Sequence, residues 1–253
     1  MALGEHIAGS EDAFVARMNQ RAKELGMDST EFLNITGLDN TEVHYSTARD
    51  VARMSAELLK HELIFNYTTI WTDSIRGGKF GLSNTNKLIR FYPGANGLKT
   101  GSTSKAKFCI SASAKRDGMQ LIAVILAAPS SDERNTAAKQ LFNYGFANYA
   151  VYIPPAEELS DIPVKGGKQP FCKLQCDKSG EILVLKGQEN KITREISVSP
   201  ELSAPVDAGQ KVGKITYTLD GKVICEKDIT ASENIGRVGF MDILLQLLGR
   251  MTW

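Results

Sequence analysis

The sequence predicts an α/β segment built on an antiparallel sheet with helices, followed by a small all-β sandwich and a C-terminal amphipathic helix. Three observations carry that reading. Between residues 97 and 128 three strand-like runs follow in quick order, with a hairpin signal between the last two. Beyond a proline-rich break near residue 150, short alternating strands run from 171 to 231. From Phe240 onward, apolar residues surround a narrow polar stripe. These features divide the chain into 1–150, 151–232 and 233–253.

Ser10 is placed to cap a helix, with Glu11 and Asp12 in its first turn. Phe14, Met18, Ala22 and Leu25 follow at helical spacing, and Gly26 ends the run. Residues 27–45 read as loop. Thr47 opens a second helix, and Asp50 three residues on completes a capping-box pattern. Val51, Met54, Leu58 and Leu59 form its apolar face, while Arg49 and Asp50 read as helix-end electrostatics. Residues 61–92 are mixed, with a short helical piece and then the turn signals Gly77-Gly78 and Asn84-Thr85-Asn86.

The strand runs are Gly97 to Thr103, Lys107 to Ala114 and Gln120 to Ala128, the last two joined through Arg116-Asp117-Gly118. Ser130-Ser131-Asp132-Glu133 then caps a helix carrying Leu141, Phe142 and Phe146 inward. Pro154-Pro155, Pro163, Gly166-Gly167 and Pro170 mark a linker and turns. The strands beyond are Phe171 to Cys176, Ile182 to Leu185, Thr193 to Val198, Lys214 to Leu219 and Lys222 to Lys227, with Asp220-Gly221 as a tight hairpin. At the end, Asp242, Gln246 and Arg250 recur every four residues against nine apolar ones, a pattern suited to an interfacial helix.

Bulk composition narrows the function classes. Lys plus Arg number 30 against 29 Asp plus Glu, which makes no electrostatic case for nucleic acid. The start lacks the pattern of a signal peptide, and no apolar run reaches the roughly 18 residues of a spanning helix. Four residues of strand separate Cys172 from Cys176 by roughly 13 Å, too far for a disulfide. Cys109 reads as a core thiol, and one Cys-x-x-x-Cys without a second pair is not a zinc signature. No cofactor is expected.

The candidate chemistry sits in Lys99-Thr100-Gly101-Ser102-Thr103. On a strand, the lysine supplies positive charge, the threonine a hydroxyl, and the glycine close approach for a substrate backbone. Arg134 is the second candidate. A cation in the first turn of a helix opposes the helix dipole, and such a residue often faces an anion. Otherwise it is a solvated arginine paired with Asp132 or Glu133.

Taken together these parts resemble the D-alanyl-D-alanine carboxypeptidases, the low-molecular-mass penicillin-binding proteins. Lys99-Thr100-Gly101 resembles the family's third motif, and Tyr45-Ser46-Thr47-Ala48-Arg49-Asp50 its Tyr-Ser-x-Ala-Arg-Asp. Thr36-Gly37-Leu38-Asp39, Lys115 to Gly118, the downstream sandwich and the terminal amphipathic helix also fit. The resemblance implies roles by position. Lys99 would hold a substrate carboxylate and help tune the proton relay. Thr100, Gly101 and Thr103 would bind substrate. The Ser102 N–H would be one of two oxyanion donors, and Arg134 would help bind the terminal carboxylate.

One departure is large. The family's nucleophile lies in a Ser-x-x-Lys motif followed by Ser-x-Asn. Both are expected upstream of Ala8-Gly9-Ser10, where this chain does not carry them. Ser102 to Lys105 matches Ser-x-x-Lys only by overlapping the third motif, and Ser232-Glu233-Asn234 matches Ser-x-Asn only in the final linker. The resemblance therefore implies the C-terminal portion of a serine-type carboxypeptidase, inactive alone. Its complete form would act on the D-Ala-D-Ala end of peptidoglycan stem peptides, react with β-lactam antibiotics, and sit on the outer face of a bacterial cytoplasmic membrane through the terminal helix. A β-lactamase or endopeptidase of the same superfamily, and a non-catalytic cell-wall-binding module, are the competing readings.

Overall fold

The structure, a computed structural model, describes residues 1–38, 44–156, 158–176 and 180–243. It divides into two compact units, Met1–Asn148 and Tyr149–Trp253.

The first unit opens with helices α1 (Ala2–Ala8), α2 (Glu11–Glu24) and α3 (Ala48–Leu58). Both cap readings are realised: Ser10 Oγ accepts from the Ala13 N–H at 3.2 Å, and Thr47 Oγ1 from the Asp50 N–H at 3.1 Å. Gly26 takes φ +69°, which a Cβ would oppose, and so ends the run after α2. Asp50 departs from the capping box. Its carboxylate is 3% exposed and accepts from the Ser29 N–H at 3.0 Å and the Thr30 hydroxyl at 2.9 Å. It anchors the loop before α3 rather than serving the helix end alone.

Next come α4 (Phe65–Thr68), the hairpin β1 (Thr72–Ile75) and β2 (Phe80–Ser83), and α5 (Leu88–Phe91). The hairpin is exposed on both faces, so its residues carry no buried alternation for a sequence reading to detect. Then follow β3 (Ala95–Thr103), β4 (Lys107–Arg116), β5 (Met119–Ala128) and α6 (Ser131–Asn148). The three strands form an antiparallel sheet in the order β3-β4-β5. Asp117 and Gly118, at φ +49° and +79°, make the two-residue turn that matches strand twist.

One face of this sheet is apolar. Ile110, Ala112, Ala114 and Ala123 pack with Leu88, Tyr92, Ala138 and Phe142. A Cβ at Gly145 would stand 2.5 Å from Leu121 Cδ1, so a larger residue there would have to displace that methyl. Ala138, Phe142 and Gly145 therefore define the inward stripe of α6, with Phe146 partly buried beside it. Leu141, expected inward, is rotated off that stripe and is 50% exposed.

The second unit is all-β: β6 (Tyr149–Tyr152), β7 (Ile162–Lys165), β8 (Phe171–Cys172), β9 (Leu174–Cys176), β10 (Ile182–Leu185), β11 (Ile192–Val198), β12 (Leu202–Ser203), β13 (Lys211–Leu219) and β14 (Lys222–Ala231). They form sheets β11-β13-β14-β9, β12-β7-β8 and β10-β6 around a core containing Ile182, Val184, Ile215, Tyr217 and Ile229. Pro163, read as linker, lies within β7. It pairs there with Phe171 of β8, while β12 pairs only with the following residues Val164 and Lys165. A proline is thus accommodated where the flanking strands are short. Asp220 and Gly221, at φ +49° and +77°, form the expected hairpin. Of the predicted terminal helix, residues 244–253 lie outside the described residues, and no described helix is long and apolar enough to cross a membrane.

The rotation of α6 is testable by chemical denaturation. Phe142→Ala is expected to lower stability by about 3–5 kcal/mol, as for other buried aromatic truncations. Leu141→Ala is expected to stay within about 0.5 kcal/mol of the parent. Equal losses at the two positions would show that both face the core.

Candidate functional site

A cavity of about 770 Å³ lies along β3 and beside α3. Lys99 to Thr103 line it, opposed by Val51, Met54, Ser55 and Leu58, with Thr36 to Leu38 at one side. The apolar face predicted for α3 is thus turned to this cavity, and Met54 and Leu58 are exposed rather than packed in a core.

Strand register decides which motif residues share a face. Lys99 pairs with Ser111, Gly101 with Cys109 and Thr103 with Lys107, whereas Thr100 pairs with Ile110. Directly opposed residues project to the same side, and neighbours alternate. Lys99, Gly101 and Thr103 therefore lie with Ser111 on the α3 side. Thr100 turns to the apolar side, is 8% exposed, and has its hydroxyl 2.6 Å from that of Thr85. The Lys99 ammonium donates to the Thr100 carbonyl. Thr103 Oγ1 accepts from the Ala106 N–H at 2.9 Å. Because β3 is the edge of its sheet, half of its backbone groups point away from β4. A Cβ at Gly101 would meet nothing within 4 Å, so packing does not require the glycine.

Two polar features, one lining the cavity and one holding β3 behind it, have no sequence counterpart above. The hydroxyls of Ser55 and Ser111 lie 2.6 Å apart, and Ser55 also donates to the Val51 carbonyl at 2.7 Å. This pair ties α3 to β4 beside Lys99. Asn86, buried between β2 and α5, donates to the Gly97 carbonyl at 2.9 Å and accepts from the Leu88 N–H at 3.1 Å, which holds the start of β3. The only local signal for these residues was the Asn84-Thr85-Asn86 turn. Ser55 falls between apolar positions of an amphipathic helix and Ser111 within a largely apolar strand run, and neither gives a polar pattern.

Arg134 is neither solvated nor paired with its acidic neighbours. It is 5% exposed, and it does not line the cavity. Its Nε and Nη2 donate to Asn135 Oδ1 at 3.3 and 3.2 Å, and its Nη1 donates to the Cys109 carbonyl at 3.4 Å. Asp132 instead lies 3.6 Å from Lys87, and Glu133 accepts from the Ser130 hydroxyl. Burial pushes the guanidinium pKa below its ordinary value, opposed by Cys109 and Asp132. Arg134 reaches the cavity through Cys109, which lines it. The reading of Cys109 as a core thiol is corrected. Far from being sealed in the core, it is half-buried and lines the cavity, with its thiol donating to the Ala106 carbonyl at 3.2 Å.

Ser102 to Lys105 spans the β3–β4 turn rather than a helix start. Asn234 of the Ser-x-Asn match accepts from the Ala208 N–H at 2.7 Å in the second unit. Among the described residues, no group of three His, Cys, Asp or Glu side chains is placed to hold a metal ion.

Comparison with known proteins adds independent findings. A family profile described as D-alanyl-D-alanine carboxypeptidase matches residues 1–130, and one described as the C-terminal domain of penicillin-binding protein 5 matches residues 153–237. The chain is 40% identical to D-alanyl-D-alanine carboxypeptidase DacF of Bacillus subtilis, over 100% of this chain and 66% of that protein. It is 31% identical to DacA of Haemophilus influenzae, over 94% of this chain and 62% of that one. It thus spans under two thirds of the length of these curated relatives. Among solved structures, penicillin-binding protein 5 from Haemophilus influenzae superposes with a TM-score of 0.75 at 30% identity, covering 93% of this chain and 70% of that one. Penicillin-binding protein D2 from Listeria monocytogenes, solved in a cefotaxime-bound form, gives a TM-score of 0.53 at 33% identity, covering 57% of this chain and 58% of that one.

Proposed function

Because the chain belongs to the D-alanyl-D-alanine carboxypeptidase family, we propose that it supplies one wall of a serine-type acyl-transfer site for the D-Ala-D-Ala end of peptidoglycan stem peptides. The observation that supports this most is the arrangement of Lys99 and Gly101. They share one side of an open edge strand, beside the Ser55–Ser111 pair and facing a cavity.

In this reading the substrate backbone lies along the free edge of β3, where Gly101 leaves room for it. Lys99 attracts the substrate carboxylate and sets the field in which the nucleophile loses its proton. The Ser102 N–H is one donor to the tetrahedral oxyanion, and Thr103 bonds substrate. Thr100, already bonded to Thr85, positions the strand rather than meeting substrate directly. Arg134 adds positive potential from behind Cys109. The serine oxygen attacks the penultimate D-Ala carbonyl carbon, its proton passes to the leaving D-Ala amine, and water then hydrolyses the acyl-enzyme. No described helix opens on Ser-x-x-Lys, so we take the acylating serine to come from outside these 253 residues. Attachment to the outer membrane face through 240–253 belongs to the same proposal.

Three outcomes are expected. Incubated with benzylpenicillin, the 253-residue chain should show no added mass; a stoichiometric adduct on any serine, Ser102 included, would overturn the assignment of the nucleophile. In an enzyme completed with the family's upstream segment, Arg134→Ala should lower kcat/KM for free-acid D-Ala-D-Ala peptides by about ten- to a hundredfold. C-terminally amidated peptides should be almost indifferent to it. Arg134 is buried, so the ratio of the two substrates is the readout; an equal loss on both makes it a scaffold residue. Finally, deleting residues 237–253 should abolish flotation with phospholipid vesicles, and undiminished flotation would exclude the tail as anchor.

A further inference from the structure

We propose that the first unit carries a second binding site, for a phosphate group, in the notch between α5 and the start of α6. The notch has a volume of about 230 Å³, and Lys87, Phe91, Asp132, Asn135, Thr136 and Lys139 line it. It lies on the apolar, α6 side of the sheet, whereas Lys99 faces the α3 side. The inference does not rest on the acyl-transfer reading.

Asn135 carries it. The residue is 7% exposed. Its Oδ1 accepts two N–H groups from Arg134, which settles the amide orientation, because the reverse would set N–H against N–H. Nδ2 is thereby turned away from the guanidinium. Neither of its N–H groups meets an acceptor on any described residue. A buried amide donor without an acceptor is rare and costly in a native fold, and a ligand oxygen in the notch would satisfy it.

The surrounding groups have the same sense. The Thr136 hydroxyl and the Lys139 ammonium have no partner among the described residues. Lys87 has only a loose, exposed contact with Asp132 among those residues. Two lysines against one aspartate leave the notch positive, and the N-terminal end of the 18-residue α6 adds to that potential. An amide, a hydroxyl and an ammonium from α6, with a second ammonium from the start of α5, line the notch together and offer donors to several oxygens at once, which suits a tetrahedral oxyanion. Phe91, 57% exposed on the wall, gives an ester substituent an apolar surface to lie against.

The test is a titration of the full 253-residue chain, at constant ionic strength, followed by the side-chain amide resonances of Asn135. Inorganic phosphate and the phosphodiester glycerophosphoglycerol are the two probes. The proposal expects a saturable shift of those resonances with at least one of them. The double variant Lys87→Gln/Lys139→Gln should weaken binding about tenfold or more, and Thr136→Val about threefold. These side chains lie at the rim of the notch, so the fold should survive their replacement, as the unchanged remainder of the spectrum would show. Preference for the diester would point to a phosphodiester polymer, and preference for inorganic phosphate to a small phosphate monoester. A titration without saturable shift for either probe, or a shift unaffected by the double variant, would overturn the site.

Discussion

The first unit depends on one constraint: β4 is buried on both faces. From Ile110 to Ala114 every residue is covered, and the two faces are covered by different chemistry. Ile110, Ala112 and Ala114 meet the apolar stripe of α6, where burial of methyl and ring groups drives association. Ser111 meets Ser55 of α3 through a hydroxyl pair, and Ser113 donates to Asn96 Oδ1 at 2.7 Å. Alternation along one strand thus separates an oily face from a hydrogen-bonded one. The second face can then form a polar cavity wall without leaving buried donors unpaired.

That division explains the arrangement of the motif on β3. Pairing with β4 sends Lys99 and Gly101 to the hydrogen-bonded face and Thr100 to the oily one. A threonine on the oily face needs a partner, and Thr85 supplies it. Asn86, next to Thr85, holds the Gly97 carbonyl, so the turn before α5 fixes the strand at two points. Arg134 meets the same sheet from behind. With its two acidic neighbours engaged elsewhere, its charge is shared between an amide oxygen and a strand carbonyl. A buried guanidinium with only neutral acceptors is an electrostatic asset for any anion bound nearby.

The second unit is built differently. Its core draws on three sheets of short strands, and its charged groups pair across exposed strand faces, as in Lys214 with Glu226 and Lys211 with Asp228. Such exposed pairs contribute little to stability. The match of residues 153–237 to the C-terminal domain of penicillin-binding protein 5 accords with this all-β character.

The sequence by itself determined what is satisfied within a few residues. The caps at Ser10 and Thr47 and the turns at Asp117-Gly118 and Asp220-Gly221 follow from local hydrogen bonds and allowed backbone angles. The family resemblance was legible for the same reason, since its motifs are contiguous. Only the tertiary structure decided the rest. Ser55 meets Ser111 across 56 positions, Asp50 meets Thr30 across 20, and Arg134 meets the Cys109 carbonyl across 25. Those partners depend on how far a helix is rotated against a sheet and on which register two strands adopt. One step of helix rotation separates buried Phe142 from exposed Leu141, and one residue of strand separates Lys99 on the α3 face from Thr100, whose hydroxyl meets Thr85 on the other.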